Sequence, residues 1–540
     1  MTDTSDPRPP APLSPAQRRL LQVLLAEKQR GLPKARGDDH IAGGERPSRI
    51  PLSLNQEGLW FLDQLKLGAT LNVPVSVRLQ GALNIPALER SLTVMRQRHE
   101  ALRTTFAVAD GQPHQVISPD ATMTLPVVDL SGLPESSREA EARRLATDAA
   151  RMPFDLVRGP LMRAELIRLG TEEHVLLMNL HHIITDGWSM SVLARELDHL
   201  YTRFSSGRLP QLPDLAIQYA DFALWQRGRL VGPHLEAELA FWKRELQGAI
   251  PPAQPPTDRP RSSEPGFRGG HYAVALSTEL SAAARTLASR AGVTPFVVLG
   301  AVFTLLLHYH SGHTDVVVGS TFANRRQRDL EDLIGFFVNT LPVRYDLSGD
   351  PAFCDLLARA QKVLLDVHEH QELPLSKIVQ QLQPERSLDR NPLFQVVFDV
   401  LTPDRNPAVF GYGISSEVQE QLQVGDLLLT PMDVEGGEAR FDLAVFLWDM
   451  PTGFSGTFEY SSDVYDRSTI ARLASNYVSL VGHVLADPAA PLSRLCEQLR
   501  RSDQEFGARQ ADEYNLRARQ TLRATKRKII AVAGPQDDQR

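Results

Sequence analysis

Apolar positions change their spacing near residue 181, and the change predicts a strand that leads into a helix. Residues 175–180 read VLLMNL, an apolar run of strand length. Beyond them, apolar side chains recur every three or four residues, which predicts an amphipathic helix capped by Ser189. The apolar face of this helix consists of Val192, Leu193, Leu197, Leu200, Tyr201 and Phe204.

The connection between this strand and this helix, residues 181–187, reads HHIITDG. Side chains alternate between the faces of a strand, so His181 and His182 are expected to point in opposite directions. Asp186 and Gly187 are expected at the helix N-terminus, where unpaired N–H groups and the helix dipole favour negative charge. Because histidine is common at half-buried positions, the pair alone does not establish a catalytic site.

The remaining pattern divides the chain into two mixed α/β halves, predicted at residues 48–246 and 271–492. Residues 247–270 are rich in proline and are predicted to form the linker between them. In the second half, Thr294 and Pro295 predict the start of a helix, and Gly312 predicts its end. Residues 315–320 are predicted to form a buried strand.

Both ends of the chain are predicted to lie outside these halves. Residues 1–47 are polar and Pro-rich, apart from one short helix around residues 20–25. Residues 493–540 are predicted to form a tail with a basic run at 517–528. Either end is a candidate docking segment for an acidic partner, and a solvated tail without a role is the alternative.

Composition excludes several classes of protein. The chain is 42% hydrophobic and 23% charged with a net charge of −7, which argues against nucleic acid as a partner. No apolar run reaches the roughly 20 residues that span a bilayer, and no signal peptide is found, so no membrane contact and a cytoplasmic location are expected. Cys354 and Cys496 are expected to be small buried side chains without a catalytic role. No metal is expected, because the helix end at Gly312 explains the histidines at 308–313.

Six motifs, in their order along the chain, resemble those of the condensation domains of nonribosomal peptide synthetases. HHxxxDG is the active-site motif of that family; a further segment, residues 370–375 (HQELPL), matches the family's HQDxPF only loosely and is not counted among the six. The other five motifs stand at residues 53–62 (SLNQEGLWFL), 98–106 (RHEALRTTF), 219–226 (YADFALWQ), 334–342 (IGFFVNTLP) and 390–395 (RNPLFQ).

This resemblance implies a fold and a set of site residues. The fold is α/β (α+β), with two chloramphenicol-acetyltransferase-like lobes that form a V-shaped pseudo-dimer around a central tunnel. Arg98 is expected to form a salt bridge with Asp186, and Arg103 is the alternative partner. Ser320 and Asn339 are expected to line the tunnel.

The residues of the motif suit a condensation reaction. With an ordinary pKa of about 6.5, His182 can accept a proton from an attacking amine or alcohol, or orient it by a hydrogen bond. The N–H of Gly187 is the candidate oxyanion donor, because a residue without Cβ lets a carbonyl approach the helix N-terminus. Asp186 either completes a triad with His182 or anchors the loop, and the resemblance favours the anchor. His181 and Trp188 are expected to be structural.

The resemblance implies a condensation enzyme of nonribosomal peptide or hybrid polyketide–peptide biosynthesis. It would move an acyl or peptidyl group from a carrier-protein thioester to an amine or hydroxyl acceptor, which forms an amide or ester bond. The chain would need no cofactor of its own, since phosphopantetheine belongs to the partner carrier proteins. Without an adenylation signature or a carrier segment, it is expected to be a free-standing enzyme and a monomer. The alternatives are a non-catalytic domain that recruits carrier-bound intermediates and an acyl-CoA-dependent acyltransferase.

Overall fold

The computed structural model describes residues 41–65, 69–248, 253–261, 268–382, 391–402, 421–432 and 439–505. Strands and helices are labelled in chain order. The strands are β1 (Ile50–Pro51), β2 (Asn72–Gln80), β3 (Thr104–Ala109), β4 (Gln112–Ile117), β5 (Val127–Asp129), β6 (Met162–Arg168), β7 (Glu173–His181), β8 (Gly269–Ala275), β9 (Asp315–Phe322), β10 (Asn339–Asp346), β11 (Val396–Leu401), β12 (Leu422–Val424), β13 (Leu427–Pro431), β14 (Leu443–Met450) and β15 (Gly453–Ser461).

The helices alternate with these strands. They are α1 (Leu54–Gln64), α2 (Ile85–Arg98), α3 (Glu135–Arg151), α4 (Gly187–Ser205), α5 (Tyr219–Arg229), α6 (Gly232–Leu246), α7 (Thr278–Ala291), α8 (Pro295–Ser311), α9 (Phe353–Glu369), α10 (Leu375–Leu382) and α11 (Arg467–Ala486). Residues 492–505 are also helical. No single helix of the described part has the length and apolarity to cross a bilayer, although the bent pair α7 and α8 passes this test jointly.

The first lobe is built on a six-stranded sheet in the order β12-β13-β2-β7-β6-β5. Strand β7 pairs antiparallel with β2 on one side and with β6 on the other. Alternation along β7 sends Leu176 and Met178 into a core with α2 and α4, and Val175 and Leu177 into a second core with α3. The strand that ends at His181 is therefore held on both faces and both edges. A small sheet, β1-β4-β3, lies beside it.

The second lobe has its own six-stranded sheet in the order β10-β9-β11-β14-β15-β8. Its core includes most of α8, which is buried on nearly every side and lies between the sheet and α11. The predicted start of α8 at Thr294 and Pro295 is confirmed, and Gly312 ends the helix in the left-handed conformation, with φ of 72°. The predicted strand over 315–320 is confirmed as β9.

One segment from the second half of the chain belongs to the sheet of the first lobe, which sequence position does not predict. Strands β12 and β13, which belong to the second half of the chain, join the first sheet, where β13 pairs antiparallel with β2. Without β13, the edge of β2 would expose unpaired backbone N–H and C=O groups. The predicted division into residues 48–246 and 271–492 therefore omits one connection between the lobes.

The fold extends beyond its predicted limits at both ends. Ile41 is buried and Arg46 pairs with Asp221 and Glu100, so the fold includes residues that were assigned to the segment 1–47. Leu495 and Leu499 are fully buried in the core of the second lobe, so the predicted tail, 493–540, begins within the fold. The predicted helix at 20–25 and the basic run at 517–528 lie outside the described residues.

The structure also corrects two smaller predictions, the start of α4 and the burial of Cys354. Helix α4 begins at Gly187 rather than after Ser189, because Asp186 is its N-cap and accepts a hydrogen bond from the Ser189 N–H (2.8 Å). Cys354 is exposed rather than buried, since it lies on the outer side of α9 while Phe353 and Leu356 face the core; Cys496 is buried as predicted.

Candidate active site

His182 lies at the end of the central strand of the first lobe, where β7 passes into a 3-10 turn over His182–Ile184. Its backbone N–H donates to the Leu71 carbonyl (2.8 Å), and its Nδ1 lies 2.7 Å from the Thr185 carbonyl oxygen. A carbonyl oxygen can only accept, so Nδ1 carries the hydrogen and Nε2 keeps its lone pair. The Phe336 ring, from the second lobe, packs edge-on against the imidazole with the ring centroids 5.0 Å apart.

The surroundings of His182 keep its imidazole uncharged. Burial, followed by the positive charge of Arg440, lowers the pKa of His182 to about 3. The expectation of an ordinary pKa near 6.5 is therefore wrong. A base this weak takes up a proton poorly at neutral pH. Its Nε2 is better suited to accept a hydrogen bond and orient the donor.

His181 makes its contacts elsewhere. Its Nδ1 accepts a hydrogen bond from the Ile183 N–H (3.1 Å), and its ring meets the Phe154 ring edge-on. Its Nε2 lies 3.7 Å from a carboxylate oxygen of Asp63. The two histidines thus contact different groups, as alternation predicts, and these contacts agree with a structural role for His181.

Asp186 is buried, with 1% of its surface exposed, and both of its carboxylate oxygens are fully engaged. Oδ1 accepts hydrogen bonds from the N–H (2.8 Å) and hydroxyl (2.7 Å) of Ser189. Oδ2 accepts hydrogen bonds from the N–H groups of Phe337 (3.0 Å) and Val338 (3.3 Å). Because the Nδ1 of His182 is bonded to the Thr185 carbonyl instead, this geometry favours the anchor over the triad.

The cation that faces Asp186 is Arg325. Its guanidinium is buried, with 1% of the side chain exposed, and lies 3.1 Å from Oδ1 of Asp186. The same guanidinium donates to the carbonyl oxygens of Leu330 and Leu333 and packs over the Phe337 ring, 4.0 Å from its centroid. Residues 323–338, which we term the crossover segment, are thereby fastened to the N-terminus of α4.

The predicted partner of Asp186, Arg98, binds elsewhere. Arg98 Nε donates to Glu196 (2.9 Å), which lies about 15 Å further along α4 at 1.5 Å per residue. The alternative, Arg103, donates to the Ser118 carbonyl. Both predictions are wrong because Arg98 ends α2, which packs along the middle of α4 rather than at its N-terminus.

Further hydrogen bonds hold the crossover segment in place. The Gly335 N–H donates to the Ser189 hydroxyl (3.1 Å), and Tyr219 OH donates to the Phe336 carbonyl (2.6 Å). A Cβ on Gly335 would lie 1.9 Å from the Tyr219 ring, so only glycine fits there. Trp188, at the start of α4, donates its indole N–H to the Glu331 carbonyl (2.8 Å), which agrees with a structural role.

Gly187 is the first residue of α4 and is exposed. Its N–H precedes the first hydrogen bond of the helix, so it is free to meet an incoming oxygen at the positive end of the helix dipole. A Cβ built on Gly187 meets no atom within 4 Å, which shows that the space in front of it is open.

Ser320 and Asn339, which were predicted to line the tunnel, both make internal hydrogen bonds. Ser320 is buried and donates to Asp399 (2.9 Å). Asn339 is buried and donates to the carbonyl oxygens of Gln371 and Leu373 at 2.9 and 2.8 Å. Both side chains are committed to internal hydrogen bonds, so the prediction that they line a tunnel is not supported.

The sequence did not predict the roles of Arg325 and Arg440 at the site. Arg325 lies in a run, ANRRQR, that is typical of a solvated loop. Arg440 donates to the carbonyl oxygens of Thr70 (3.1 Å) and Asn72 (3.5 Å), on either side of the Leu71 carbonyl that binds His182. Neither has a local signal, because both partners lie more than 100 residues away.

We expect Asp186→Asn and Arg325→Met each to lower the free energy of unfolding by about 3 to 5 kcal/mol, because each leaves a buried partner uncompensated. The double variant should lose less than the sum, since the shared contact is lost once. Chemical denaturation measures all three. As a control, Arg98→Ala combined with Asp186→Asn should be additive within about 0.5 kcal/mol. Coupling of Asp186 to Arg98 and not to Arg325 would contradict the assignment.

We expect His182 to remain neutral, as the Nδ1–H tautomer, from pH 8 down to pH 5. Its folded pKa of about 3 lies below the unfolded value of about 6.5. The stability that this neutral ring contributes is complete above pH 6.5 and is lost as pH falls towards 3, because the unfolded chain takes up the proton. Nitrogen-15 NMR of labelled histidine follows the titration, and His182→Gln identifies the signal. A midpoint near 6.5 would contradict the proposed environment.

Comparison with known proteins places the chain in a family. A sequence model of the condensation domain matches residues 47–505. The chain is 43% identical over 451 residues to a linear gramicidin synthase of Brevibacillus parabrevis. It is 37% identical over 483 residues to phosphinothricin tripeptide synthetase PhsC of Streptomyces viridochromogenes. These alignments cover 83% and 88% of this chain but only 6% and 43% of the two relatives.

Solved structures share the fold. The X-domain from teicoplanin biosynthesis aligns with a TM-score of 0.73 and 30% identity, over 84% of this chain and 99% of that one. The first condensation domain of the calcium-dependent antibiotic synthetase aligns with a TM-score of 0.67 over 83% of this chain and 99% of that one, at 20% identity, which bears on the fold alone. The predicted fold of two chloramphenicol-acetyltransferase-like lobes is confirmed. The chain belongs to the condensation domain family of nonribosomal peptide synthetases.

Proposed function

We propose that the chain catalyses condensation, the transfer of an acyl or peptidyl group from a carrier-protein thioester to an amine or hydroxyl acceptor. The strongest support for this proposal is that the short loop 182–187 holds two groups that the reaction needs. It holds a neutral imidazole with a free Nε2 and the exposed first N–H of helix α4. These are an acceptor for an attacking N–H and a donor for a developing oxyanion.

In the proposed reaction, the acceptor nitrogen attacks the thioester carbonyl carbon, so that a C–N bond forms and the C–S bond breaks. The negative charge on the carbonyl oxygen faces the Gly187 N–H and the positive end of the α4 dipole. His182 Nε2 accepts a hydrogen bond from the attacking N–H and thereby aims the nitrogen lone pair. The proton that the nitrogen loses reaches the departing thiolate of the phosphopantetheine arm.

The magnitudes favour positioning as the main contribution. Holding two reactants in register supplies about 7 to 11 kcal/mol in well-oriented systems. General-base help contributes about 10² to 10⁴ in rate, or about 3 to 5 kcal/mol, when the pKa of the base is close to the working pH. With its pKa lowered to about 3, His182 supplies less than that through proton transfer. Its principal role in the proposal is to orient the acceptor.

The proposed partners are carrier proteins that bring both thioesters on phosphopantetheine arms. The names of the relatives, a gramicidin synthase and a tripeptide synthetase, support an amide product and an assembly-line setting. The phosphopantetheine belongs to the carriers. Among the described residues no group of three or more His, Cys, Asp or Glu is arranged to hold a metal ion.

One observation favours a second candidate function, a domain that recruits another protein. A solved structure with 30% identity and a TM-score of 0.71 is the complex of the X-domain with OxyB from teicoplanin biosynthesis. In that case the chain would bind a partner without forming a bond. The free Nε2 of His182 and the open space at Gly187 favour the catalytic proposal, and turnover separates the two.

We expect the wild-type chain to form amide product and His182→Ala to lower kcat at least 100-fold, because the orienting acceptor is lost. The substrates are a panel of aminoacyl thioesters on a phosphopantetheinylated carrier protein, with a second aminoacyl carrier as acceptor. Intact-mass spectrometry follows the transfer. His271→Ala, at an exposed histidine of β8, is the control and should be fully active. Wild-type turnover by a folded His182→Ala variant would overturn the assignment.

The same assay tests the oxyanion position with a matched pair of glycines. Gly187→Ala and Gly228→Ala both place a methyl group in open space on a helix, so neither should be destabilised. We expect only Gly187→Ala to lower kcat/KM, at least tenfold, because its methyl group obstructs the incoming carbonyl. Full activity in both variants would contradict the site. Binding of carriers without any product from the wild type would favour the recruitment function.

A further inference from the structure

We propose that a cavity in the first lobe, separate from the HHxxxDG site, binds a small apolar molecule that carries a secondary amide. The cavity has a volume of about 370 Å³ and lies where helix α3 covers strands β2, β6 and β7. Small-molecule sites typically begin at about 300 Å³. The condensation reaction as proposed above makes no use of this space, so the proposal does not depend on it.

The cavity exists because small side chains face each other across it. Helix α3 presents Ala146, Ala149 and Ala150 to it, and β2 presents Pro74 and Ser76. Interiors of proteins are normally close-packed, and larger residues at these positions would fill the gap. The two fully buried residues of α3, Ala142 and Ala146, are both alanines, and this small-residue surface leaves room for another molecule.

Two buried polar atoms line the cavity without a hydrogen-bond partner among the described residues, Oδ1 of Asn179 and Oγ of Ser76. Their residues are 5% and 8% exposed. The Nδ2 of Asn179 donates to the carbonyl oxygens of Ala149 and Ala150 at 2.8 and 3.3 Å, which assigns the other amide atom as the oxygen. Buried polar groups nearly always have a hydrogen-bond partner, so two unpaired polar atoms in one cavity point to a ligand that bonds to both.

These two unpaired atoms define the chemistry of that ligand. Asn179 lies opposite Pro74, and Ser76 lies opposite Leu177, so Asn179 and Ser76 are diagonal neighbours on one face of the sheet. Asn179 Oδ1 can only accept, whereas the Ser76 hydroxyl can donate. A secondary amide satisfies both, because its N–H meets Asn179 and its carbonyl oxygen meets Ser76.

The rest of the lining selects an apolar body. Leu177, Pro126 and the alanines of α3 line it on the helix side of the sheet, and Met152, just after α3, can adapt to ligands of irregular shape. Met123, Met162 and Met178 border the cavity as well, but their side chains lie in the core on the other face of the sheet. At the rim, the Arg163 guanidinium stacks over the Phe154 ring (4.0 Å), which in turn meets His181 edge-on. Two residues, Arg163 and Phe154, would therefore separate a bound molecule from His181.

The test uses protein labelled with carbon-13 at the methionine methyl groups, and N-hexylacetamide as the probe. We expect the Met152 methyl signal to shift with increasing probe, while those of the buried Met95 and Met450, which lie elsewhere, stay in place. Hexyl acetate, which lacks the N–H, should bind at least threefold more weakly because Asn179 Oδ1 stays unpaired. Equal binding of amide and ester, or no shift at millimolar probe, would overturn the proposal.

Two variants and a control tie the signal to the cavity. Ala146→Leu places a larger side chain in the cavity and should abolish the Met152 shift, whereas Ala140→Leu, on the exposed side of the same helix, should leave it unchanged. Ser76→Ala removes the unpaired hydroxyl without adding bulk and should weaken amide binding about three- to tenfold. Circular dichroism verifies the fold of each variant. Unchanged affinity in both Ala146→Leu and Ser76→Ala would show that the probe binds elsewhere.

Discussion

The buried carboxylate of Asp186 is the interaction on which the arrangement of the site depends. A carboxylate withdrawn from water costs several kcal/mol unless a cation and hydrogen-bond donors replace the solvent. Here Arg325 supplies the charge, and Ser189, Phe337 and Val338 supply the donors. Because these groups come from α4 and from the crossover segment, one side chain joins the lobe that carries the histidines to the other lobe.

This tie determines what the neighbouring residues can do chemically. By capping α4, Asp186 aims the first N–H of the helix, that of Gly187, outward into open space. By holding the crossover segment, it keeps the Phe336 ring against His182, where burial and Arg440 keep the imidazole neutral. The site then resembles a rigid frame with one donor and one acceptor, which suits a reaction whose rate depends mainly on the position of two large substrates.

Local features of the site follow from the sequence, and long-range ones do not. The strand into His181 and the helix near Gly187 were predictable, because apolar spacing acts over a few residues, whereas the anchoring role of Asp186 was favoured by the family resemblance alone. The partner of Asp186 was not predictable, since Arg325 is 139 residues away in a run that is typical of solvent. Strands β12 and β13 were missed for the same reason: their hydrogen bonds join a sheet that begins some 350 residues earlier, and no single sequence encodes that pairing locally.

The most direct test of the central claim is the hydrogen exchange of the Phe337 and Val338 amides in wild type and in Asp186→Asn, read by NMR alongside the His182 imidazole. If Asp186 is the tie between the lobes, exchange of both amides rises at least tenfold in the variant, because an amide in place of the carboxylate weakens both bonds. The tautomer of His182 should be unchanged. Unaltered exchange together with a switch of the His182 proton to Nε2 would contradict this account and restore the triad.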